Sequence, residues 1–212
     1  MTAATTEPDT LADVVYAIGG VPLHRILWTP FLGTATEEHL LRNRHVELVN
    51  GILVRKSLGF RKGVAEVVIG CRLLEFVKVA RLGAVTVASA PYRVSIGVVR
   101  LPDVAFIRWE RLLTASGKIP DIAPVAPDVV IDIPTPDNTP GELTRKRGEY
   151  FAAGTQLVWE IDPDDRTVAV YTDPTTHTLL TAADTLDGGA VLPGLTLPLA
   201  DLFNDPQLNP RP

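Results

Sequence analysis

The sequence predicts an α/β (α+β) domain in which a mixed β-sheet is flanked by helices and extended by antiparallel hairpins. Two observations predict it. Short apolar runs of strand length alternate with turn signals along most of the chain. One run, "DVVIDI", is followed by a helix and then by a further strand, "QLVWEIDP". A strand–helix–strand unit crosses over to a parallel strand, so we expect one mixed sheet.

The composition is that of an ordinary globular protein, with 46% apolar and 21% charged residues among 212. A net charge of −5 gives no overall attraction to nucleic acid, although a local basic face or bound metal ions can outweigh it. Cys71 is the only cysteine, which indicates a reducing, intracellular setting. The chain begins without a signal-peptide pattern, and its most apolar stretch carries five charges, so we expect a cytoplasmic protein without a membrane span.

The chain divides into three parts. We expect a tail and short helical pieces over residues 1–33, the main domain over 34–203 and a C-terminal tail over 204–212. Within the main domain, residues 34–43 resemble a short helix, and Asn50-Gly51 between two alternating apolar runs predicts a hairpin.

The pattern predicts a long helix over residues 62–82, ended by Gly83 as a C-cap. Its polar residues drift around the axis, so we expect neighbours to cover it on more than one side. Residues 84–96 and 98–107 are each interpreted as strands, joined by a turn near Gly97.

The helix after "DVVIDI" has a well-defined start. Thr139 is expected to be the N-cap, Pro140 the first residue, and Glu142 the partner in a capping box. The helix should end at Ala153, before Gly154. A hairpin across residues 163–165 and short edge strands complete the predicted domain.

Two aspartates could act together at the sheet. Asp132 lies among apolar residues, where a charge is costly unless it faces solvent or meets a cation. Asp128, four residues away, lies about 13 Å from it on an extended strand and is interpreted as a turn residue. A partner for Asp132 must therefore come from a neighbouring strand, and Asp103 is the best-placed candidate.

The next helix carries a basic cluster, "LTRKRGEY". For Lys146 taken alone, the usual interpretation is a solvated helix face. Arg145 and Arg147 are expected to be exposed or available to a polyanion. The four histidines show no zinc spacing, and no glycine-rich phosphate loop is present.

The segments "LPDVAFI", "APDVVIDIPTPDNTPGELTRKRGEYFAAGTQLVWEIDP" and "LPGLTLPLADLF" together resemble the Uma family of restriction-endonuclease-like proteins, compact members of the PD-(D/E)xK nuclease-like superfamily. The resemblance runs from about "HVELVNGILV" to "LADLF" and implies a restriction-endonuclease-like core. It also implies a function, metal-dependent hydrolysis of DNA phosphodiester bonds. Mg²⁺ or Mn²⁺ is the implied cofactor.

The family's residues are carried over one by one. The resemblance implies that Asp103 and Asp132 hold the metal, that Lys146 supplies the catalytic lysine, and that Glu47 is a further acidic site residue. The departures are Asp132, where relatives carry Glu, a Thr135-Pro136-Asp137 turn in place of Ser-Pro-Ser, and a stretch "SLGFRKG" that lacks the frequent His.

The leading interpretation is therefore a Mg²⁺-dependent endonuclease acting on DNA. The alternative is a non-catalytic nuclease-fold module that serves as a dimeric nucleic-acid-binding or scaffold protein. A carboxylate-pair hydrolase acting on sugars has little support, because no acid with a raised pKa can be distinguished. Apolar edges such as "TLLTAADTL" predict a homodimer.

Overall fold

The computed structural model describes residues 11–27, 33–113 and 117–209. Its helices are α1 Leu11–Ala17, α2 Glu37–Arg42, α3 Phe60–Ala80, α4 Trp109–Leu112, α5 Pro140–Ala152 and α6 Leu199–Phe203, with a 3-10 turn at Leu23–Arg25. Its strands are β1 Ile26–Leu27, β2 Val46–Val49, β3 Ile52–Arg55, β4 Gly83–Val87, β5 Tyr92–Ser95, β6 Val98–Arg100, β7 Val104–Arg108, β8 Val129–Asp132, β9 Leu157–Asp162, β10 Thr167–Tyr171, β11 His177–Thr181, β12 Thr185–Asp187 and β13 Thr196–Pro198. None of the described helices is long and apolar enough to cross a membrane.

The larger sheet is mixed, as predicted. Its six strands follow the order β11-β10-β9-β8-β7-β4. β8 and β9 are parallel, because α5 connects them, and the other neighbours are antiparallel. The predicted α/β (α+β) fold class is therefore confirmed, with the crossover unit at the centre of the sheet.

A second sheet, which the sequence did not predict, contains five strands in the order β1-β3-β2-β6-β5. Each of the two long predicted strands is divided between the sheets. Residues 84–96 form β4 in one sheet and β5 in the other, and residues 98–107 form β6 and β7 in the same way. Local pattern cannot reveal such a division, since both halves alternate equally well.

The two faces of the six-stranded sheet are covered by different elements. α3 and the C-terminal β12, β13 and α6 pack on the face that carries Phe106, Ile131 and Trp159. α5 packs on the other face, where Tyr150 contacts the cluster around Val130. The side chains of β8 alternate between these layers, so Asp132 faces the α5 side.

The predicted hairpin is present between β2 and β3. Asn50 and Gly51 both have positive φ, 49° and 75°, as a type I′ turn requires. A turn at Gly97, with φ of 74°, joins β5 to β6. The backbone N–H of Asn50 donates to the carbonyl of Gly97, so the tips of the two hairpins meet.

Two expectations about α3 were wrong. The helix ends with Arg81 in the left-handed conformation, φ 52°, and Gly83 instead begins β4. A Cβ at Gly83 would lie 2.0 Å from the carbonyl oxygen of Ile107. Glycine is therefore required here because β4 approaches β7 too closely for a side chain. The helix is also covered mainly on one side, because Val67 and Leu74 are exposed.

The start of α5 follows the prediction in part. Thr139 Oγ1 accepts the backbone N–H of Glu142, as an N-cap should. The Glu142 side chain does not complete the capping box. It forms a bidentate ion pair with Arg25, at 2.7 and 2.8 Å, and thereby ties the segment before β1 to α5.

Candidate active site

The acidic pair comes together at the junction of two strands. The register of β7 and β8 pairs Val104 with Ile131, so the next positions, Asp103 and Asp132, lie opposite one another. Both side chains are buried, at 2% and 6% exposure. A backbone-to-side-chain hydrogen bond reinforces the junction, since the N–H of Ile133 donates to Asp103 Oδ2 at 2.7 Å.

Lys146 reaches this junction from α5. Its Nζ lies 3.8 Å from Asp132 Oδ1 and 3.3 Å from Glu47 Oε1. Glu47 comes from β2 in the other sheet and is 1% exposed. The four residues that the sequence singled out therefore lie in one buried cluster, although they are far apart along the chain. Lys146 is not on a solvated helix face.

Asp103 is held by two lysines that the sequence analysis missed. Lys56 Nζ lies 2.8 Å from Asp103 Oδ1, and Lys62 Nζ lies 2.8 Å from Oδ2. Lys56 follows β3, and Lys62 is in the first turn of α3. Lys56 directly precedes the stretch "SLGFRKG" and Lys62 lies within it. The absence of a His from this stretch, noted in the sequence, was the available signal.

Glu47 has its own support from Arg100. The Arg100 Nη1 atom donates to Glu47 Oε2 at 2.7 Å, and the N–H of Leu101 donates to Oε1 at 3.1 Å. Arg100 also contacts Glu149 on α5, at 2.6 Å. This buried arginine therefore fixes the strand that carries Glu47 relative to the helix that carries Lys146.

Burial and neighbouring charges shift the pKa values of the clustered residues in different directions. Burial opposes ionisation of Asp103, but Lys56 and Lys62 outweigh it and hold its pKa below the usual value. Burial raises the pKa of Asp132; the Lys146 ammonium opposes this effect and the charge of Asp103 adds to it. Burial alone would lower the pKa of Lys146, but Asp132 and Glu47 raise it, so the ammonium form persists. The pKa of Glu47 is lowered despite burial, chiefly by Lys146 and Arg100.

Asp132 retains an unused acceptor. Its Oδ1 is buried and accepts no hydrogen bond from the described residues. A buried carboxylate oxygen that accepts no hydrogen bond is costly, so a proton, a further donor or a cation would stabilise it. The costly charge noticed in the sequence is therefore offset only in part, by the Lys146 ammonium 3.8 Å away.

The donor set fits a hard divalent cation. No group of three or more His, Cys, Asp or Glu side chains in the described ranges is gathered closely enough to hold a metal. Mg²⁺ does not need such a cage, because it keeps several waters and uses one or two carboxylates together with substrate phosphates. Asp103 and Asp132 supply two carboxylates, and Asp132 Oδ1 accepts no hydrogen bond. These residues therefore fit Mg²⁺ or Mn²⁺ if Asp103 gives up one of its lysine contacts.

The cluster has a route to the surface. An open cavity of about 430 Å³ is lined by Lys56, Ser57 and Lys62, which also line the site itself. Gly59 and Phe60, at the start of α3, form another part of its wall. The surface from which Asp103 can be approached therefore carries two lysines, Lys56 and Lys62, beside one acidic residue, Glu66, although the whole chain is acidic.

Three neighbouring residues have structural roles. Asp128 is fully buried, accepts the N–H of Arg108 and pairs with Arg111 at 2.8 Å, which goes beyond the expected turn role. Arg147 was expected to be exposed but is buried against Glu160 at 2.6 Å, with its guanidinium 4.1 Å from the Tyr171 ring centroid. Arg145 is only partly exposed and pairs with Glu149.

A mixed sheet with acids at two adjacent strand ends and a lysine on the crossover helix defines the restriction-endonuclease-like class of fold. Comparison with known proteins agrees. The chain belongs to the Uma2 family, described as "putative restriction endonuclease", whose model matches residues 36–200. The resemblance seen in the sequence is therefore confirmed.

A solved structure supports the fold. The chain is similar to the crystal structure of "a putative nuclease belonging to DUF820" from Anabaena variabilis ATCC 29413, with a TM-score of 0.69 and 23% identity. The match covers 79% of this chain and 97% of that one. Among curated proteins, no sequence matches this chain.

Proposed function

We propose that this protein is a Mg²⁺- or Mn²⁺-dependent endonuclease that hydrolyses phosphodiester bonds in DNA. The observation that carries the proposal is the buried, unpartnered Oδ1 of Asp132, placed beside Asp103 and the Lys146 ammonium. Membership of the Uma2 family supports a nuclease, and the two-carboxylate site supports this particular chemistry.

Asp103 and Asp132 would hold the ion. When bound, the ion polarises the phosphate that is attacked and lowers the pKa of a coordinated water, which supplies the nucleophile. Asp132 offers an oxygen that accepts no hydrogen bond, whereas Asp103 would have to exchange one of its two lysine contacts for the ion. The lysine that is released would then be available to the substrate phosphate.

Lys146 acts as a donor in this proposal. Its pKa is raised by Asp132 and Glu47 against the effect of burial, so it stays protonated at neutral pH. It can orient the attacking water and stabilise negative charge that develops on the phosphate oxygens. Glu47 limits where the ammonium can lie, because Arg100 and the N–H of Leu101 fix its carboxylate.

Lys56 and Lys62 would receive the substrate phosphate. They lie between the open cavity and Asp103, so an entering phosphodiester meets them first. Phosphate contacts from lysine side chains supply affinity without sequence readout. These two lysines could therefore hold DNA phosphates on a protein whose net charge is −5.

One observation favours the non-catalytic alternative. The carboxylates of the site are already paired with basic side chains: Lys56 and Lys62 contact both oxygens of Asp103, and Arg100 and Lys146 contact Glu47. Carboxylates that are paired in this way attract a dication less strongly than an uncompensated acidic pair does. Under this alternative the lysines bind nucleic acid without cutting it.

A plasmid-cleavage assay combined with Mn²⁺ titration calorimetry tests both functions. We expect Mg²⁺-dependent cleavage that chelation abolishes. Asp132→Ala should lose at least about 10³-fold activity together with Mn²⁺ binding. Lys146→Met should lose at least about 10²-fold activity while still binding Mn²⁺.

Asp137→Asn is the matched control, because Asp137 is exposed and lies on the turn after β8. It should cleave like the wild type. Full Mg²⁺-dependent cleavage by Asp132→Ala would refute the proposed site. The scaffold alternative would be supported if the protein binds DNA, does not cleave it, and gives no heat of Mn²⁺ binding.

We also propose that the protein acts as a cytoplasmic homodimer. Duplex DNA has two antiparallel strands, and two copies related by a two-fold axis present one site to each strand. The exposed strand β11 ends the six-stranded sheet and offers an edge for pairing, as predicted for "TLLTAADTL".

A further inference from the structure

An apolar slot lies beside the open cavity that leads to the candidate active site. Its volume is about 390 Å³. Gly59, Phe60 and Gly63 line both the slot and the cavity, so the two spaces are neighbours at the start of α3. Val64 and Val67, further along the same helix, line the slot alone.

The shape of the slot follows from the spacing of residues on α3. Phe60, Gly63 and Val67 lie at positions i, i+3 and i+7, so they share one face of the helix. Gly63 has no side chain, and a Cβ there would meet no other atom within 4 Å. An open gap therefore lies between the Phe60 ring and Val67, where a flat ring can approach the helix backbone.

The apolar side chains around this opening are largely in solvent. Phe60 is 92% exposed, Leu58 is 70% exposed and Val67 is 60% exposed. Single exposed apolar side chains are common on proteins, but three around one opening indicate a surface that binds an apolar group. The described residues that line the slot include no ionisable side chain, so the group that enters it should be uncharged.

Lysines next to the slot restrict the ligand further. Lys56 and Lys62 line the neighbouring cavity, where the described wall carries one acid, Glu66. Two lysines beside an apolar slot favour a ligand that is anionic at one end and flat and apolar at the other. A nucleotide has this form, because one sugar joins its phosphate to its base.

A base inside duplex DNA cannot enter the slot, because it is paired and stacked between its neighbours. Leaving the stack costs free energy, and the cost is smallest for a base that is already unpaired. Stacking on an aromatic side chain offsets this cost and suits every base, since every base has a π face. Gln207, also in the slot lining, offers an amide donor and acceptor to the edge of the base.

We propose that this slot binds the base of an unpaired nucleotide, stacked on Phe60, while Lys56 and Lys62 hold the neighbouring phosphate. The protein therefore prefers DNA that carries an unpaired base. This inference rests on the proposed function, because it takes DNA as the ligand, but it does not require that the DNA is hydrolysed.

Three fluorescein-labelled duplexes of one sequence test the slot. One is fully paired, one carries a single bulged adenine, and one carries the same bulge as an abasic nucleotide, which keeps the extra phosphate and lacks the base. Fluorescence anisotropy in EDTA measures binding without metal-dependent cleavage. The wild type should bind the adenine bulge at least about fivefold more tightly than either other duplex, as stacking of one base implies.

Two variants examine the slot directly. Phe60→Ala removes the stacking ring and should bind the adenine and abasic bulges equally. Gly63→Leu fills the gap with a residue that favours the helix, and it should have the same effect. Val79→Ala is the matched control, because Val79 is 87% exposed and lies about five turns further along α3. It should keep the wild-type preference.

Equal affinity of the wild type for the adenine and abasic bulges, or an unchanged preference in Phe60→Ala, would overturn the slot. Absence of binding to all three duplexes would also overturn it. If the wild type shows the preference but cleaves no DNA with Mg²⁺, the proposed hydrolysis fails and the slot stands. If it cleaves DNA but shows no preference in binding, the slot fails and the proposed function stands.

Discussion

Buried ion pairs in this protein join residues that are far apart along the chain. The pair formed by Glu142 is the simplest example. It lies on α5 and pairs with Arg25, which precedes β1, with both side chains buried at 1% and 5% exposure. Asn138 Nδ2 also donates to its carboxylate at 3.1 Å. Removing one partner of such a pair leaves the other charge buried and uncompensated.

Glu142→Gln should therefore destabilise the protein by about 2 kcal/mol at pH 7. Burial opposes ionisation of Glu142, but hydrogen bonds from Arg25 outweigh it and lower its pKa from 4.5. A lowered folded-state pKa stabilises the protein above the unfolded pKa and loses this contribution as the pH falls below it. The difference between variant and wild type should shrink between pH 5 and about pH 3, measured by urea unfolding at each pH.

Glu38→Gln is the control for this prediction, because the Glu38–Arg42 pair is exposed and should change stability by less than about 1 kcal/mol. If Glu142→Gln loses the same unfolding free energy at pH 5 and at about pH 3, the ionised form of Glu142 does not contribute to stability.

At the scale of elements, residues at the ends of strands and helices position the side chains of the site. α3 places Lys62 beside Asp103 at its start and ends at Arg81, whose positive φ is strained for a residue with a Cβ. The exposed Arg81 side chain has no role in the site, so this strain can be removed independently.

Arg81→Gly should stabilise the protein by about 0.5–1 kcal/mol, because glycine adopts the left-handed C-cap conformation without a Cβ clash. Thermal and urea unfolding measure the change. Lys78→Gly, three residues earlier within the helix, should instead cost about 1 kcal/mol. A loss of stability in Arg81→Gly would mean that the arginine makes a compensating contact.

Some of these elements could be predicted from local sequence patterns, and others could not. The hairpin at Asn50-Gly51, the α5 N-cap at Thr139 and the strand containing Asp132 all follow from local signals that act within a few residues. The division of residues 84–96 between two sheets does not, because it depends on which distant strands are available for pairing.

At the scale of the whole molecule, the two sheets converge where the candidate site lies. The site takes Glu47 from one sheet and Asp103 and Asp132 from the other. Its geometry therefore depends on how the sheets pack, which Val94, Val98, Val130 and Val158 mediate in a shared apolar cluster. Self-association would extend the six-stranded sheet at its exposed end.

If β11 is the dimer edge, Leu179→Lys should yield monomers, because a charge on an edge strand opposes edge-to-edge pairing. Leu179 is 59% exposed, so its replacement should leave unfolding free energies nearly unchanged. Light scattering after gel filtration should give twice 22.9 kDa for the wild type and 22.9 kDa for the variant.

Leu41→Lys, at an exposed leucine on α2, is the control and should remain dimeric. A monomeric wild type would refute the proposed homodimer, and a dimeric Leu179→Lys variant would show that copies meet elsewhere.

The sequence by itself determined the strand–helix–strand unit, the Asn50-Gly51 turn, the family resemblance and a short set of acidic and basic candidates. These depend on periodicity, turn chemistry and residue type, which are local properties. Only the tertiary structure revealed that Lys56 and Lys62 hold Asp103, that Arg100 holds Glu47, and that Arg147 is buried. The physical reason is that a lysine or arginine looks the same in sequence whether it is solvated or paired, and long-range folding alone chooses its partner.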